Sequence, residues 1–166
     1  AVRGRIHMMM SVFTWHWINP IEKHLPMVEI ASQCSSETGS MHWAYYSIVF
    51  GRPQSILFNP DTLQTVIKKN EQVHTFLSSH NDREVLLQQT HLLNFCYWLT
   101  GETEFPPHVN EFDEAAYSDE MEQAGNGLIR AYFHFYEMYR AFLLNDYSLA
   151  MHHGDKAIVL VGDTIG

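Results

Sequence analysis

The stretch Leu128–Leu144 constrains this chain more than any other. Its polar residues Arg130, His134, Glu137 and Arg140 recur at spacings of four and three, which places them in one stripe along a helix. Tyr132, Phe133, Phe135, Tyr136, Met138, Tyr139, Phe142 and Leu143 make the rest of the circumference apolar or aromatic. Such a helix has to be covered on several sides. The sequence therefore predicts neighbours for it, the helix near Glu84–Leu99 before it and the helix Asp146–Val161 after it. The same polar stripe rules it out as a membrane span, which needs about twenty mostly apolar residues.

Helical periodicity dominates elsewhere, and strand signals are sparse. In Leu63–Leu77 the residues Leu63, Val66, Ile67, Val73 and Leu77 gather mainly on one face, with Lys68, Lys69, Glu71 and Gln72 opposite. Asn59-Pro60-Asp61 opens that segment as a helix start, with a capping Asn, Pro at the first helical position and an acid in the first turn. Asp82 is placed to cap the next helix and Gly101 to end it. Turn signals fall at Asn19-Pro20, Gly51-Arg52-Pro53, Gly101-Glu102 and Asn145-Asp146. Six residues before each sits an aromatic: Phe13, Tyr45, Phe95 and Tyr139. The intervals of 32, 50 and 44 residues each hold a second helix and the first helix of the next pair, the pattern of stacked helical hairpins with unequal repeats.

Composition narrows the function. With 46% hydrophobic and 17% charged residues in 166, the chain has material for a packed core. Ten Lys+Arg against 19 Asp+Glu give a net charge of −9 and no basic stripe, which argues against nucleic-acid binding. Cys34 and Cys96 stand far apart without CxxC spacing, as expected of a reduced, cytoplasmic chain. Arg3 and Arg5 lead into a Met run with no small-residue cleavage site, unlike a signal peptide. Opening on Ala1 without a start Met and stopping at Gly166, the chain is expected to be a piece of a longer one. Ile158-Val159-Leu160-Val161 leaves an apolar block near its end. The last helix is thus expected to fray, to self-associate or to dock against something else.

Little in the sequence carries chemistry. No GxxxxGK[ST], GxGxxG or kinase loop occurs, so no nucleotide or other cofactor is expected here. Of eleven histidines, His16, His24, His42 and the pair His152-His153 are the ones to test for a metal. Adjacent histidines point about 100° apart on a helix, and no HExxH or His-x3-His falls on a predicted helix. No metal ligand is assigned. Glu102, Glu104, Glu111, Asp113, Glu114, Asp119, Glu120 and Glu122 form an acidic run broken by Pro106-Pro107. It reads as a solvated loop and an amphipathic helix, not as a paired-carboxylate site. No catalytic residue is assigned either. The aromatic surplus is explained by packing between hairpins. A sharper alternative has Tyr132 and Tyr139 lining a groove for a partner helix or peptide.

Asn145-Asp146-Tyr147-Ser148-Leu149-Ala150, followed by Lys156-Ala157 and Leu160, resembles the tetratricopeptide (TPR) pattern, in which a G-D-Y turn precedes small residues seven apart where two helices cross. Asn145 stands where Gly is usual, and His134, Glu137 and Met138 stand where a large apolar residue, Leu and Gly are usual. The wider order of motifs resembles the TPR-like region of very large signalling proteins in which an AAA/STAND-type ATPase module follows a protein-kinase-like domain, often with histidine-kinase or cyclase domains. That order runs through Phe13-Thr14-Trp15-His16-Trp17, Glu37-Thr38-Gly39-Ser40, Trp43-Ala44-Tyr45-Tyr46, Gly51-Arg52-Pro53 and Phe112-Asp113-Glu114.

The resemblance implies an all-α, TPR-like solenoid of antiparallel hairpins forming one domain over residues 1–166. It implies a non-catalytic scaffold whose partners are other proteins or other domains of the same chain, with no nucleic acid and no membrane span. Two alternatives stay open: a helical subunit of a larger assembly, with a closed core, and an enzyme fragment with a site between helices.

Overall fold

The computed structural model describes residues 2–20, 23–51, 62–79, 82–101, 105–110, 113–123 and 125–165. Every regular element among these described residues is helical, so the all-α expectation is met. In chain order they are α1 (Val2–Met9), a π-helical stretch (Met10–Thr14), α2 (Trp15–Ile18), α3 (His24–Glu37), α4 (Met41–Gly51), α5 (Leu63–Ser78), α6 (Arg83–Thr100), α7 (Pro107–Asn110), α8 (Glu114–Gln123), α9 (Gly127–Leu143) and α10 (Tyr147–Ile165). The chain divides into two compact units, Ala1–Leu77 and Ser78–Gly166.

In the first unit α3 and α4 form a hairpin, and α1 packs against both. The turn between them is a Schellman motif. Ser40 N–H donates to the Ser35 carbonyl (2.8 Å) and Gly39 N–H to that of Ser36 (3.0 Å), with Gly39 at φ +71°. Small residues are buried throughout this hairpin and in the segment that packs on it. Gly4, Ser11, Ala31, Ser35, Ala44 and Ser47 are all buried. A Cβ at Gly4 would lie 2.1 Å from Ser35 Oγ and 2.9 Å from its backbone N, so only glycine fits where α1 meets α3. Ser11 and Ser47 bury their hydroxyls by donating to their own helices, to Met8 O (2.9 Å) and Trp43 O (2.7 Å). At the rim the Arg5 guanidinium lies 4.8 Å from the centre of the Trp43 ring. In α5 the predicted face is found, with Val66, Ile67, Val73 and Leu77 buried. The proposed start at Asn59-Pro60-Asp61 lies outside the described residues, as does Arg52-Pro53 after Gly51.

In the second unit α9 packs against α6, α8 and α10, which confirms the neighbours predicted for it on both sides. Helix boundaries follow the sequence signals closely. Asp82 caps α6 by accepting from Val85 N–H, and Gly101 ends it at φ +69°. Asp113 caps α8 by accepting from Ala115 and Ala116 N–H, both at 3.0 Å. The side chain of Asn126 accepts from Leu128 and Ile129 at the start of α9. Between α9 and α10 the chain reverses in a second Schellman turn, with Asp146 N–H on the Ala141 carbonyl and Asn145 N–H on that of Phe142, both at 3.0 Å. Asn145 takes φ +61°, the left-handed conformation that asparagine tolerates better than most residues. Asp146 then caps α10 through Leu149 N–H at 3.0 Å. Ala150 is buried in α10, while Ala157 is only half-buried. Gly154 meets α9 closely, since a Cβ there would lie 3.2 Å from Met138 Sδ.

Candidate functional site

The polar stripe of α9 does not stay on one side of the molecule. A helix repeats every 3.6 residues, so a row spaced by four and then by three drifts around the axis. Arg130 and His134 consequently meet α8 and α10, whereas Glu137 and Arg140 meet α6.

On the α6 side, His91 Nε2 lies 2.9 Å from Glu137 Oε1, and both side chains are almost wholly buried. Burial by itself would raise the Glu137 carboxyl. The hydrogen bond from His91 and the nearby charges of His91, Arg140 and His153 outweigh it and hold the carboxyl below its ordinary value. An ionised carboxylate only accepts, so the proton of this bond sits on Nε2 of His91. Arg140 Nη1 approaches the second carboxylate oxygen at 3.7 Å, and its guanidinium lies 5.8 Å from the Trp98 ring centre. Rings of Tyr117 (5.0 Å), Phe133 (5.0 Å) and Tyr136 (5.4 Å) enclose the His91 imidazole. The pair is thus oriented as an acid–base dyad would be, but it is packed in an aromatic shell.

Two hydroxyls complete that shell. Tyr117 donates to the Leu87 carbonyl at 2.8 Å, which ties α8 to α6. The Tyr136 hydroxyl is buried without a hydrogen-bond partner among the described residues. Burial raises it well above its ordinary value, with Tyr132, Cys96 and Tyr117 adding to the effect. Cys96 is buried too, and its thiol is pushed up to about 12, which keeps it protonated and unreactive.

Tyr132 and Tyr139, the pair assigned to a partner groove, are both half-buried on α9. Tyr132 stacks on Tyr136 with centroids 6.5 Å apart, and Tyr139 packs at 5.8 Å from Phe95. Burial pushes the Tyr132 hydroxyl up to about 12.

On the other side of α9, His134 Nδ1 and His153 Nδ1 are 3.0 Å apart. Two imidazole nitrogens at that distance share one proton, so one donates and the other accepts. Burial first, then the charges of His153 and Lys156, bring His134 down to about 4, so it is neutral at physiological pH. In front of His134 opens a cleft of about 340 Å³ lined by Glu122, Arg130, His134, Asp155, Lys156, Val159 and Leu160. Glu122 stands between the two cations, 3.6 Å from Arg130 Nη2 and 3.5 Å from Lys156 Nζ. Arg130 Nε is buried without a hydrogen-bond partner among the described residues.

Sequence reasoning found the members of the stripe but neither of their partners. The two histidine contacts link positions 46 and 19 residues apart, and no local pattern announces them. The one available signal was the departure of His134 and Glu137 from the apolar residues that the TPR pattern has there. Of the histidines singled out for a metal, His24 is buried in α3 and His42 packs at a tilt against Tyr46 of its own helix, with centroids 4.1 Å apart. His152 is exposed while its neighbour His153 turns to His134, as the angle between successive helical residues requires. Among the described residues no group of three or more His, Cys, Asp or Glu side chains is arranged to hold a metal ion. Among these same residues no helix is long and apolar enough to cross a membrane. In the acidic run, Glu120 pairs with Arg83 and Glu122 with Arg130 and Lys156, while Glu102, Glu104 and Glu111 lie outside the described residues.

Comparison with family models, with curated proteins and with solved structures finds no match for this chain.

Proposed function

We propose that this chain is a non-catalytic helical-repeat scaffold, a TPR-like solenoid segment that serves protein–protein interaction or intramolecular regulation within a multidomain signalling ATPase or kinase. The observation that carries this reading is the outward face of α10. Tyr147, Met151 and Ile158 share one face at spacings of four and seven, and Met151 and Ile158 are 70% and 72% exposed. Phe142, packed on Tyr147 at 5.9 Å, and Leu144 extend the apolar surface around the hairpin turn. A helix apolar on the face turned away from its partner suits a stack, where each hairpin is covered by the next. The occupant of that face, in this reading, is a further helical hairpin of the same array. Tyr132 and Tyr139, both half-buried on α9, are the side chains that would meet a partner helix or peptide.

Hydrogen exchange combined with sedimentation tests this. Residues 147–161 are expected to exchange fast in the dilute monomer and more slowly as concentration drives the face to cover itself. Ile158→Glu should abolish the association without lowering the melting temperature. Full protection of 147–161 in the dilute monomer would overturn the reading. Calorimetry with ATP is expected to show no binding, because the sequence has no Gly-rich phosphate loop followed by Lys. Stoichiometric ATP binding would contradict the non-catalytic assignment.

A further inference from the structure

The cleft between α8, α9 and α10 has the volume and the mixed lining of a small-molecule site. Its polar end has hydrogen-bonding capacity to spare. Charge-assisted N–H···O bonds run at about 2.7–2.9 Å, yet both cations stand at 3.5 and 3.6 Å from Glu122. Glu122 therefore balances their charge without accepting close hydrogen bonds from Arg130 Nη2 or Lys156 Nζ. Val159 and Leu160, beside Lys156 on the same face of α10, make the rest of the lining aliphatic. Asp155 is also part of the lining, so the two carboxylates balance the two cations and His134 adds no charge. A site balanced in this way accepts one further negative charge more readily than two.

We infer that this cleft binds a small aliphatic monocarboxylate. Its carboxylate takes the hydrogen bonds of Arg130 and Lys156, and its hydrocarbon part lies on Val159 and Leu160. Free aliphatic acids and apolar α-amino acids both carry this group, and in the amino acid the ammonium would face Glu122 and Asp155. Phosphate, mostly a dianion at neutral pH, is disfavoured by those same two carboxylates.

An NMR titration that follows the backbone amides of Val159 and Leu160 tests the inference, with 3-methylbutanoate, leucine, 3-methylbutanamide and inorganic phosphate as probes. At least one of 3-methylbutanoate and leucine should give saturable shifts, and the uncharged amide should give none. Which of the two binds more tightly identifies the source of the carboxylate. Lys156→Gln, at an exposed position that costs the fold little, should weaken binding at least about tenfold, the loss of roughly one charge-assisted hydrogen bond. Val159→Ser should weaken the aliphatic acid while leaving the response to phosphate unchanged. The inference is overturned if neither carboxylate gives saturable shifts, if phosphate or the amide binds as tightly as they do, or if Lys156→Gln leaves their affinity unchanged.

Discussion

Where α1 meets α3, Gly4 lies against Ser35, and the backbones approach until no Cβ fits at residue 4. Where α9 meets α6 it is made of Phe95, Tyr136 and Phe133 around the buried His91–Glu137 pair. Both interfaces are buried, but they are specified differently. Small residues gain their contacts from backbone proximity and lose little side-chain entropy. Large rings fill space at a distance and leave polar atoms that must find partners. The first interface is therefore sensitive to added volume, the second to removed charge.

Removing one member of the buried His91–Glu137 pair is the strongest challenge to this contrast. Glu137→Ala would leave His91 buried beside an empty site and is expected to lower stability by about 3–5 kcal/mol in urea unfolding. The double replacement His91→Phe with Glu137→Leu should recover a large part of that loss, since an apolar pair leaves no orphaned polar group. If the double variant is as unstable as the single one, ring packing and not charge decides this interface.

The matching challenge at the other interface adds one carbon. Gly4→Ala is expected to cost on the order of 1–3 kcal/mol. Ser35→Gly in the same chain should restore only part of it, because the new Cβ meets the backbone nitrogen of residue 35 at 2.9 Å as well as the hydroxyl. A neutral Gly4→Ala would show that α1 and α3 are free to separate.

A smaller effect is expected from acid. His134 sits near 4 in the folded chain against an ordinary 6.5, so between those values the unfolded chain binds more protons and stability falls as pH drops through the window. The loss should be on the order of 1–2 kcal/mol. Glu137, held below its ordinary carboxyl value, adds a further loss at lower pH, as it too becomes protonated more easily in the unfolded chain. Thermal melts from pH 7 to 3 would read both, and His134→Phe should flatten the upper part of that profile. An unchanged profile in His134→Phe would place the acid sensitivity elsewhere.

The smallest effect concerns the α9–α10 turn. Asn145→Ala is expected to cost about 1 kcal/mol because alanine resists positive φ, while Asn145→Gly should be within about 0.5 kcal/mol of the parent. Equal effects of the two would mean that the turn, unlike either interface, is indifferent to the residue that makes it.

The helices were largely legible in the sequence because their determinants are local. Asp82, Gly101, Asn145 and Asp146 act on residues within one turn, and the α5 face follows from periodicity alone. The α1–α3 interface left no trace, since a lone Gly4 among Arg3, Arg5 and the Met run reads as helix-weakening and says nothing of what it touches. The cleft was equally silent. Glu122 belonged to an acidic run that reads as solvated, and Lys156 became a site residue only once α8 and α10 met on α9. Contacts across tens of residues depend on tertiary placement, which spacing within one helix does not encode.

The two Schellman turns have one further consequence, for substitution. One uses Gly39 and the other Asn145, yet the pair of hydrogen bonds that reverses the chain is the same in both. Glycine and asparagine are thus interchangeable at such a position, since both tolerate left-handed backbone and keep the reversal intact. What the two turns share is the order of amides and carbonyls, not the residue that carries it.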